Sequence, residues 1–426
     1  MNFVQYFQSI RYLFCGLAVA AGVLGGGLSE AATYYTAKNG NDSNTCVQAQ
    51  SQTTPKLTIN SAVKCLVAGD TLYVKSGVYS EALMNVIPGG TSWSKPVTVA
   101  AFSGDIVTIQ PPTGSYRVLD FTGASRQYII INGFILDGLN VLANVVKITG
   151  NSTVGFAHHI RIQNSEVKNG KDAGILVTAG DPTGQTGCCN DFINLRVHSN
   201  GTTDFNQGFY ITSANNLIEG SRVYSNKSNG ISVYNAAFAS ANNNIVRNNI
   251  FYNNGTSGTR GNGITVSSGT GNIVYNNIVY GNMGGISVYG GSNAQIYNNT
   301  IYGNVGVTNN SSDYGIEIVS FSSNTTLRNN ISFNNKGAQI RDDAFNTQKS
   351  NNLISDPFFI DPLKANFALK TGSPAINTGI AVALVTTDYA GTPRPQGSSY
   401  DIGAYEYITI GTPITPPKNL RIVANW

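Results

Sequence analysis

A short pattern of apolar and polar residues recurs along most of the chain. Segments such as "NNIVRNNIFYNNG" from Asn243 and "GNIVYNNIVYGN" from Gly271 alternate apolar with polar residues and end in asparagine or glycine. A glycine and a second apolar run follow most of these segments, as in "GISV" at 230 and again at 285. The closing residues, spaced 22 to 32 apart, are Gly138, Gly170, Asn200, Asn226, Asn254, Asn282, Asn304, Asn335 and Asp361.

The period and the alternation predict an all-β solenoid of parallel strands, with several short strands in each coil. Leucine-rich repeats would show their own consensus, and propeller blades need roughly 40 residues or more. The third residue before each closing residue is apolar in every repeat except that of Ser332. Because side chains alternate along a strand, we expect this position to face the core and its two neighbours to face outward.

Asparagine is concentrated at fixed positions of the repeat. One column comprises the closing asparagines from Asn200 to Asn335. A second column, six residues before the closing position, reads Asn132, Asn164, Asn194, Gly220, Asn248, Asn276, Asn298 and Asn329. Stacked asparagines can hydrogen-bond to one another and to turn backbone, and they tolerate the left-handed conformation. We therefore predict that these asparagines are mainly structural.

The two flanks of the repeats carry a family resemblance. "YYTAKNGNDSNTC" with "PKLTINSAVKCLVAGDTLYVKSGVY", and "ANFALKTGSPAINTG" with "TDYAGTPRPQGSSYDIGAYEY", resemble the entry and closing segments of secreted right-handed parallel β-helix proteins, the pectate-lyase-like and polysaccharide-lyase-like group. The resemblance implies a right-handed parallel β-helix with an N-terminal helical cap. We predict a signal peptide at 1–32, the cap and first turns at 33–96, β-helix repeats at 97–361, a closing segment at 362–407 and a Pro-rich tail at 408–426.

The beginning of the chain predicts export. Arg11 precedes an uncharged run from Tyr12 to Leu28, and "LSEAA" predicts cleavage after Ala31 or Ala32. The alternative is a retained anchor, for which this run is short. We therefore expect a secreted or cell-surface protein without a stable membrane span after signal removal.

The net charge limits the classes of molecule that this protein can bind, and the cysteines predict where it can form disulfides. The net charge is +4 and 11% of residues are charged, which excludes a polybasic nucleic-acid surface and is compatible with an acidic polysaccharide. Cys46 and Cys65 flank the predicted cap helix, and we expect a disulfide between them in an exported protein. For the adjacent Cys188 and Cys189, a vicinal disulfide and two buried thiols both remain open.

Two outward columns of the repeat carry the candidate chemistry. Four residues before the closing position the column reads Glu166, Arg196, Arg222, Ile250, Ile278, Thr300 and Ile331. Two residues before it the column reads Lys168, His198, Tyr224, Tyr252, Tyr280, Tyr302 and Phe333. On three consecutive coils we therefore predict one charged patch, made of Glu166, Lys168, Arg196, His198, Arg222 and Tyr224.

The charged patch contains what a lyase for a uronic-acid polymer needs. Two arginines, Arg196 and Arg222, can neutralise the sugar carboxylate, Lys168 or His198 can remove the adjacent proton, and Tyr224 can protonate the leaving oxygen. The loops after the closing residues add Lys171 and Lys227 as substrate-binding candidates. Glu166, Asp172 and Asp204 are the candidate ligands of a possible Ca²⁺ ion. The alternative is an ordinary solvated face with ladder stacking.

The tyrosines Tyr252, Tyr280 and Tyr302 predict either a platform for sugar rings or simple structural stacking. Long loops beside the second to fourth coils favour a walled groove there, and the short "NMGG" connection at 282 predicts that later coils are open. A hydrolase would need paired carboxylates, and the patch holds one. We predict a β-elimination lyase or, alternatively, a non-catalytic adhesin or glycan-binding scaffold. His158 and His159 precede a coil, where we expect a loop role.

Overall fold

The computed structural model describes residues 30–178, 187–235, 240–256, 261–306 and 314–408. Most of the predicted signal peptide and of the predicted Pro-rich tail lies outside these residues, and the description below concerns the chain from Ala31 onward. Short strands stack in parallel into three long sheets, and the chain visits the sheets in turn on each coil. This is the predicted right-handed parallel β-helix.

Each sheet receives one strand from most coils. The strands of sheet A are Thr33–Thr36, Thr71–Val74, Val97–Ala101, Gln127–Asn132, His158–Gln163, Asp191–Ile193, Leu217–Glu219, Ile245–Arg247, Ile273–Tyr275, Gln295–Tyr297, Thr326–Arg328 and Gln348–Ser350. The strands of sheet B are Gly77–Tyr79, Val107–Ile109, Phe134–Asp137, Glu166–Lys168, Arg196–His198, Arg222–Tyr224, Ile250–Tyr252, Ile278–Tyr280, Thr300–Tyr302 and Ile331–Phe333. The strands of sheet C are Leu83–Met84, Leu119–Thr122, Val146–Asn151, Ile175–Val177, Phe209–Ile211, Ile231–Val233, Asn262–Val266, Gly284–Val288, Ile316–Ile318 and Ile340–Asp342, with Gly155–Phe156 antiparallel at its edge.

The core lies inside the coil, between the three sheets. The middle residues of successive sheet B strands, Val167, Val197, Val223 and Phe251, are all fully buried. This confirms that the apolar position three residues before the closing residue faces inward from Val167 to Ile301. The residues on either side of it therefore lie on the outer face of sheet B. The prediction is wrong for the first and last repeats, because Ile135 pairs with the outward Glu166 and Phe358 is 48% exposed.

Asparagine ladders hold the corners of the coil. From Asn200 to Asn335, each closing asparagine donates from its backbone and its side chain to the side-chain oxygen of the next, as Asn254 does to Asn282 at 3.0 and 2.9 Å. The ladder predicted from the sequence is thus present. The column six residues before the closing position has positive φ from Asn164 onward, for example 56° at Asn248 and 53° at Asn276.

A further ladder lies one residue after that positive-φ column and was not predicted. Its members point inward and bond from coil to coil; they are Ser221, Asn249, Asn277, Asn299, Asn330 and Asn352. The left-handed residue before each of them turns the chain between sheets A and B, and this turn directs the following side chain into the corner.

The N-terminal end is closed by a short helix, Ile59–Ala62, that continues as a 3₁₀ turn, Val63–Cys65. Thr58 caps the helix, because its side-chain oxygen accepts a hydrogen bond from the Ser61 backbone at 3.1 Å. A second 3₁₀ turn spans Gln48–Gln50. Disulfides join Cys46 to Cys65 and Cys188 to Cys189.

The C-terminal residues fold back over the outer face of sheet B. Residues 359–407, named the C-terminal cover, include the antiparallel strands Phe359–Asp361 and Asn366–Leu369 and the 3₁₀ turn Pro362–Lys364. Their apolar side chains form one cluster with Ile278 and Ile331. The prediction that the later coils are open is therefore wrong, because this aliphatic and aromatic face is buried by the chain's own C-terminal segment.

A buried ion pair anchors the C-terminal cover. The Arg394 guanidinium bonds to Glu406 at 2.6 Å, and neither side chain is exposed to solvent. Arg394 also donates to the carbonyl oxygens of Asp401 and Gly403. No helix in the described part of the chain has both the length and the apolar composition needed to cross a bilayer.

Candidate functional site

The register of sheet B brings together the six residues of the charged patch. Glu166 pairs with Arg196 and Arg196 with Arg222, while Lys168 pairs with His198 and His198 with Tyr224. Since the middle residues of the three strands are buried in the core, these six side chains lie side by side on the outer face.

Glu166 lies on the first of the three coils of the patch, bonds to three of its side chains and is 8% exposed. Its Oε1 atom is 3.0 Å from Lys168 Nζ and 3.1 Å from His198 Nε2, and its Oε2 atom pairs with Arg196. The hydrogen bond from His198, with those from Lys168 and the charge of Arg196, outweighs burial and lowers the Glu166 pKa to about 2. Glu166 is therefore a carboxylate that holds three basic side chains in place.

The geometry fixes the tautomer of His198. A carboxylate only accepts hydrogen bonds, so Nε2 of His198 carries the hydrogen that faces Glu166. In the neutral ring, Nδ1 is then the acceptor, and the Ser199 hydroxyl donates to it at 3.0 Å. His198 is thus the residue of the patch that pairs a carboxylate on one ring nitrogen with proton-accepting capacity on the other.

A stack of aromatic rings continues from His198 along the outer column. The His198 and Tyr224 rings lie 4.5 Å apart and 11° from parallel, and Tyr224 and Tyr252 lie 4.7 Å apart. Burial raises the pKa of Tyr224 and raises that of Tyr252 to about 12. Both phenols therefore keep their protons near neutral pH and can donate hydrogen bonds.

Arg222 gives the patch its unmatched charge. It is exposed, and its side chain forms no hydrogen bond or ion pair with any part of the chain that the structure describes. Its charge favours ionisation of nearby phenols, those of Tyr252, Tyr280 and Tyr389 of the C-terminal cover. Lys168, Arg196 and Arg222 together carry two more positive charges than Glu166 neutralises, so the patch attracts an anion.

The predicted calcium ligands do not come together. The Glu166 carboxylate bonds to Lys168, Arg196 and His198. Asp172 accepts a hydrogen bond from Asn206 at 3.4 Å, and the Asp204 carboxylate lies 3.8 Å from Lys227 Nζ. Among the described residues, no group of three His, Cys, Asp or Glu side chains is arranged to hold a metal ion. The expectation of a Ca²⁺ site at these three residues is wrong, since each carboxylate already has a different partner. Lys171 is exposed on the loop after the strand Glu166–Lys168.

Only part of the tyrosine column is accessible to a ligand. The ring centroid of Tyr280 lies 5.2 Å from that of Phe367. The ring centroid of Tyr302 lies 5.8 Å from that of Phe359 and 5.4 Å from that of Phe367. Both rings are covered by the C-terminal segment, so the prediction of an open platform is wrong for them. Tyr252, which stacks between Tyr224 and Tyr280, lies where the patch meets the cover.

A second charged group on sheet C was missed from the sequence. Arg117 pairs with Asp120 at 3.2 Å, and burial together with the charge of Arg117 lowers the pKa of Lys147. Asp120 and Lys147 are neighbours in the sheet register. The alternation in "VVKITG" predicts that Lys147 faces outward. The repeats were aligned on their closing residues, however, which follow the strands of sheet B. This alignment does not show which residues of successive sheet C strands lie side by side.

Comparisons with known proteins agree with this architecture. Residues 184–354 match the family model described as a right handed beta helix region. The pectate lyase Pel9A is similar in structure, with a TM-score of 0.65 and 18% identity over 89% of this chain and 97% of that one. XylC in complex with xylose has a TM-score of 0.56 and 13% identity, over 87% and 98% of the two chains.

The lacto-N-biosidase of family GH136 from Eubacterium ramulus has a TM-score of 0.54 and 12% identity, over 76% of this chain and 67% of that one. No curated protein matches the sequence. At these identities the similarity concerns the fold and leaves the reaction open. The chain therefore has the fold of a right-handed parallel β-helix, with an architecture similar to that of pectate lyase Pel9A.

Proposed function

We propose that this protein is an exported β-helix protein that acts on an acidic polysaccharide at the charged patch. The observation that carries the proposal is the surplus of positive charge around Glu166, with Arg222 unpaired beside stacked tyrosines. A uronic-acid polymer has the matching chemistry, because its carboxylates pair with arginines and its ring faces lie against aromatic side chains. The disulfide Cys46–Cys65 fits an oxidising, extracytoplasmic location.

The reaction that the patch supports best is β-elimination. Arg222 and Arg196 bind the uronate carboxylate and so acidify the hydrogen on C5. His198 takes that proton at Nδ1 once the Ser199 hydroxyl has turned away from it, and Glu166 stabilises the resulting imidazolium through Nε2. The bond between C4 and the glycosidic oxygen breaks, a double bond forms between C4 and C5, and Tyr224 protonates the departing oxygen. Lys168 donates to Glu166 at 3.0 Å and therefore suits charge neutralisation better than proton removal.

The test is the ultraviolet absorbance of the unsaturated uronate product. Purified protein is incubated with polygalacturonate, alginate, glucuronan and hyaluronate, each with and without calcium. We expect product from one of these, and a loss of at least about 100-fold in rate for His198→Ala, the range for a general base. Lys364→Ala removes an exposed lysine elsewhere and serves as the control. Equal rates in His198→Ala and wild type would contradict the assignment.

A non-catalytic glycan-binding role is the second candidate. The observation that favours it is that Lys168 and His198 are both already bonded to Glu166, as expected of a rigid binding surface. In that case no unsaturated product forms, while the acidic polysaccharide still binds. Arg222→Ala then weakens binding by about tenfold and lowers its salt dependence, since it removes one unpaired charge. Calorimetric titration at two salt concentrations measures both effects.

A further inference from the structure

A second group of aromatic and polar side chains lies on the outer face of sheet A. It is named the tryptophan cluster and comprises Trp93, Tyr128, His158, His159, Arg161 and Asp191. The two histidines begin the strand His158–Gln163 and contact each other, so the loop role expected for them is wrong. None of these residues belongs to the charged patch.

Trp93 is presented by a turn that is bonded to the sheet. Thr91 donates to the Lys95 carbonyl and Lys95 to the Ser92 carbonyl, at 3.2 and 3.0 Å. Gly90 donates to the Gln127 carbonyl at 2.8 Å. Any Cβ at Gly90 would lie 2.5 Å from the Lys95 carbonyl oxygen, so only glycine fits this close approach. Trp93 remains 36% exposed at the end of this fixed turn.

The rings beside Trp93 are held in an unfavourable backbone conformation. Tyr128 and His159 have φ values of 49° and 54°, and they occupy the same position on successive coils. Bulky residues rarely adopt positive φ. The same corner of the following coils is also left-handed, at Cys189, Asn215 and Asn243, so the turn of the repeat itself sets the direction of these two rings. The result is an aromatic surface with two ring orientations. The Tyr128 and His159 rings are tilted by 33° with centroids 4.6 Å apart, and the Trp93 ring stands nearly perpendicular to Tyr128, at 88° and 5.5 Å.

Arg161 and Asp191 supply hydrogen-bonding groups beside these rings. The Arg161 guanidinium lies 4.4 Å from the Trp93 ring centre and donates from Nε and an Nη atom to the same Asp191 oxygen, Oδ2. The other carboxylate oxygen, Oδ1, accepts no hydrogen bond from the described residues. Arg161 and Asp191 cancel each other in charge.

The histidine pair adds one donor and one acceptor without adding charge. The Nδ1 atoms of His158 and His159 lie 2.6 Å apart, so one carries a hydrogen and the other accepts it. The two Nε2 atoms then differ, one being a donor and the other an acceptor. Burial lowers the pKa of both imidazoles, so both are neutral at neutral pH.

We propose that the tryptophan cluster is a second saccharide-binding site, which takes an uncharged oligosaccharide. The aromatic surface offers apolar contact to sugar ring faces, and the Asp191 carboxylate and the imidazole nitrogens bond to hydroxyl groups. The six side chains of the cluster carry no net charge, which distinguishes this site from the cationic patch on sheet B. Its uncharged ligand differs in the same way from the acidic polysaccharide proposed for that patch. The site does not depend on the proposed lyase function.

Intrinsic fluorescence tests this site directly. The sequence has two tryptophans, Trp93 and Trp426. In a Trp426→Phe variant, emission reports on Trp93 alone, and we expect a saturable change on titration with cellohexaose, xylohexaose or mannohexaose. If none of the three sugars changes the emission, the proposal is overturned.

Calorimetric titration with the sugar that binds then identifies the residues that contact it. We expect Trp93→Ala and Tyr128→Ala to weaken binding by about tenfold or more. Phe345→Ala, which removes a 76% exposed ring elsewhere, should leave the affinity unchanged, as should Arg222→Ala in the charged patch. Trp93→Phe keeps a ring and serves if Trp93→Ala does not fold. Wild-type affinity in both Tyr128→Ala and the Trp93 variant contradicts the proposal, whatever happens to binding of acidic polysaccharide.

Discussion

At the scale of single residues, Glu166 organises the charged patch, and its ionisation can be tested through stability. Its pKa falls from 4.5 to about 2 on folding, so the folded state releases the proton more readily than the unfolded state. The stabilisation is therefore complete above pH 4.5 and is lost as the pH falls toward 2. We predict that Glu166→Gln lowers the free energy of unfolding at pH 7 by about 1–3 kcal/mol. The deficit should shrink below pH 4.5, as measured by urea denaturation.

Glu317→Gln is the matched control for this prediction. Burial raises the pKa of Glu317, so folding favours its protonated form, and acidification should stabilise the wild type relative to Glu317→Gln, the opposite of its effect relative to Glu166→Gln. Glu166→Gln should also strengthen binding of an acidic polysaccharide, since it removes the negative charge from the patch. A deficit of the same size at pH 7 and pH 3 would show that Glu166 acts through packing alone.

At the scale of the repeating element, the asparagine ladders contribute to stability unevenly along the coil. Asn282 accepts from the backbone and side chain of Asn254 at 3.0 and 2.9 Å and donates to Asn304 and to the Phe251 carbonyl. Asn282→Ala leaves the two Asn254 donors buried without an acceptor. We predict a loss of about 2–4 kcal/mol in the free energy of unfolding.

The end of the other ladder provides the comparison. Asn352 accepts from Asn330 and donates to the Leu327 carbonyl, but it is only partly buried, so water can replace its bonds. Asn352→Ala should therefore lower the free energy of unfolding by less than half as much as Asn282→Ala does in the same urea experiment. Equal losses would mean that ladder position does not matter.

These same corners show what the sequence could and could not predict. The closing asparagines were predictable because they recur at one repeat position with an apolar residue three places earlier. The inward asparagines were not, since in a pair such as Asn276-Asn277 the inward residue is known only once the first is seen to be left-handed. The outward columns of sheet B followed from alternation alone. The C-terminal cover did not, because it rests on contacts between distant segments, such as Asn298 with Gly403.

At the scale of the whole molecule, the cover changes how a solenoid should unfold. In a solenoid each coil contacts only its neighbours, so stability is close to a sum of local terms. Here the positive-φ asparagines of three coils also bond to the cover: Asn276 to the Thr387 carbonyl, Asn298 to the Asp401 carbonyl and Asn329 to the Ile380 carbonyl. The cover therefore joins these coils into one cooperative unit.

Phe367 tests this coupling, because it is 1% exposed and packs between Tyr280, Tyr302 and Phe359. We predict that Phe367→Ala costs about 3–5 kcal/mol through the cavity it leaves. Hydrogen exchange should accelerate together in the strands Ile278–Tyr280, Thr300–Tyr302 and Ile331–Phe333.

Exchange in Val97–Ala101, which lies far along the coil from the cover, should stay as in the wild type. Phe345→Ala, at an exposed aromatic residue, should change the free energy of unfolding by no more than about 0.5 kcal/mol. If Phe367→Ala accelerated exchange only at Phe359–Asp361 and Asn366–Leu369, the cover would be a separate unit docked on an independent solenoid. If exchange rose together in the three covered strands, the outer face of sheet B would be part of the molecule's core from Ile278 onward. The charged patch would then lie beside a rigid C-terminal cover.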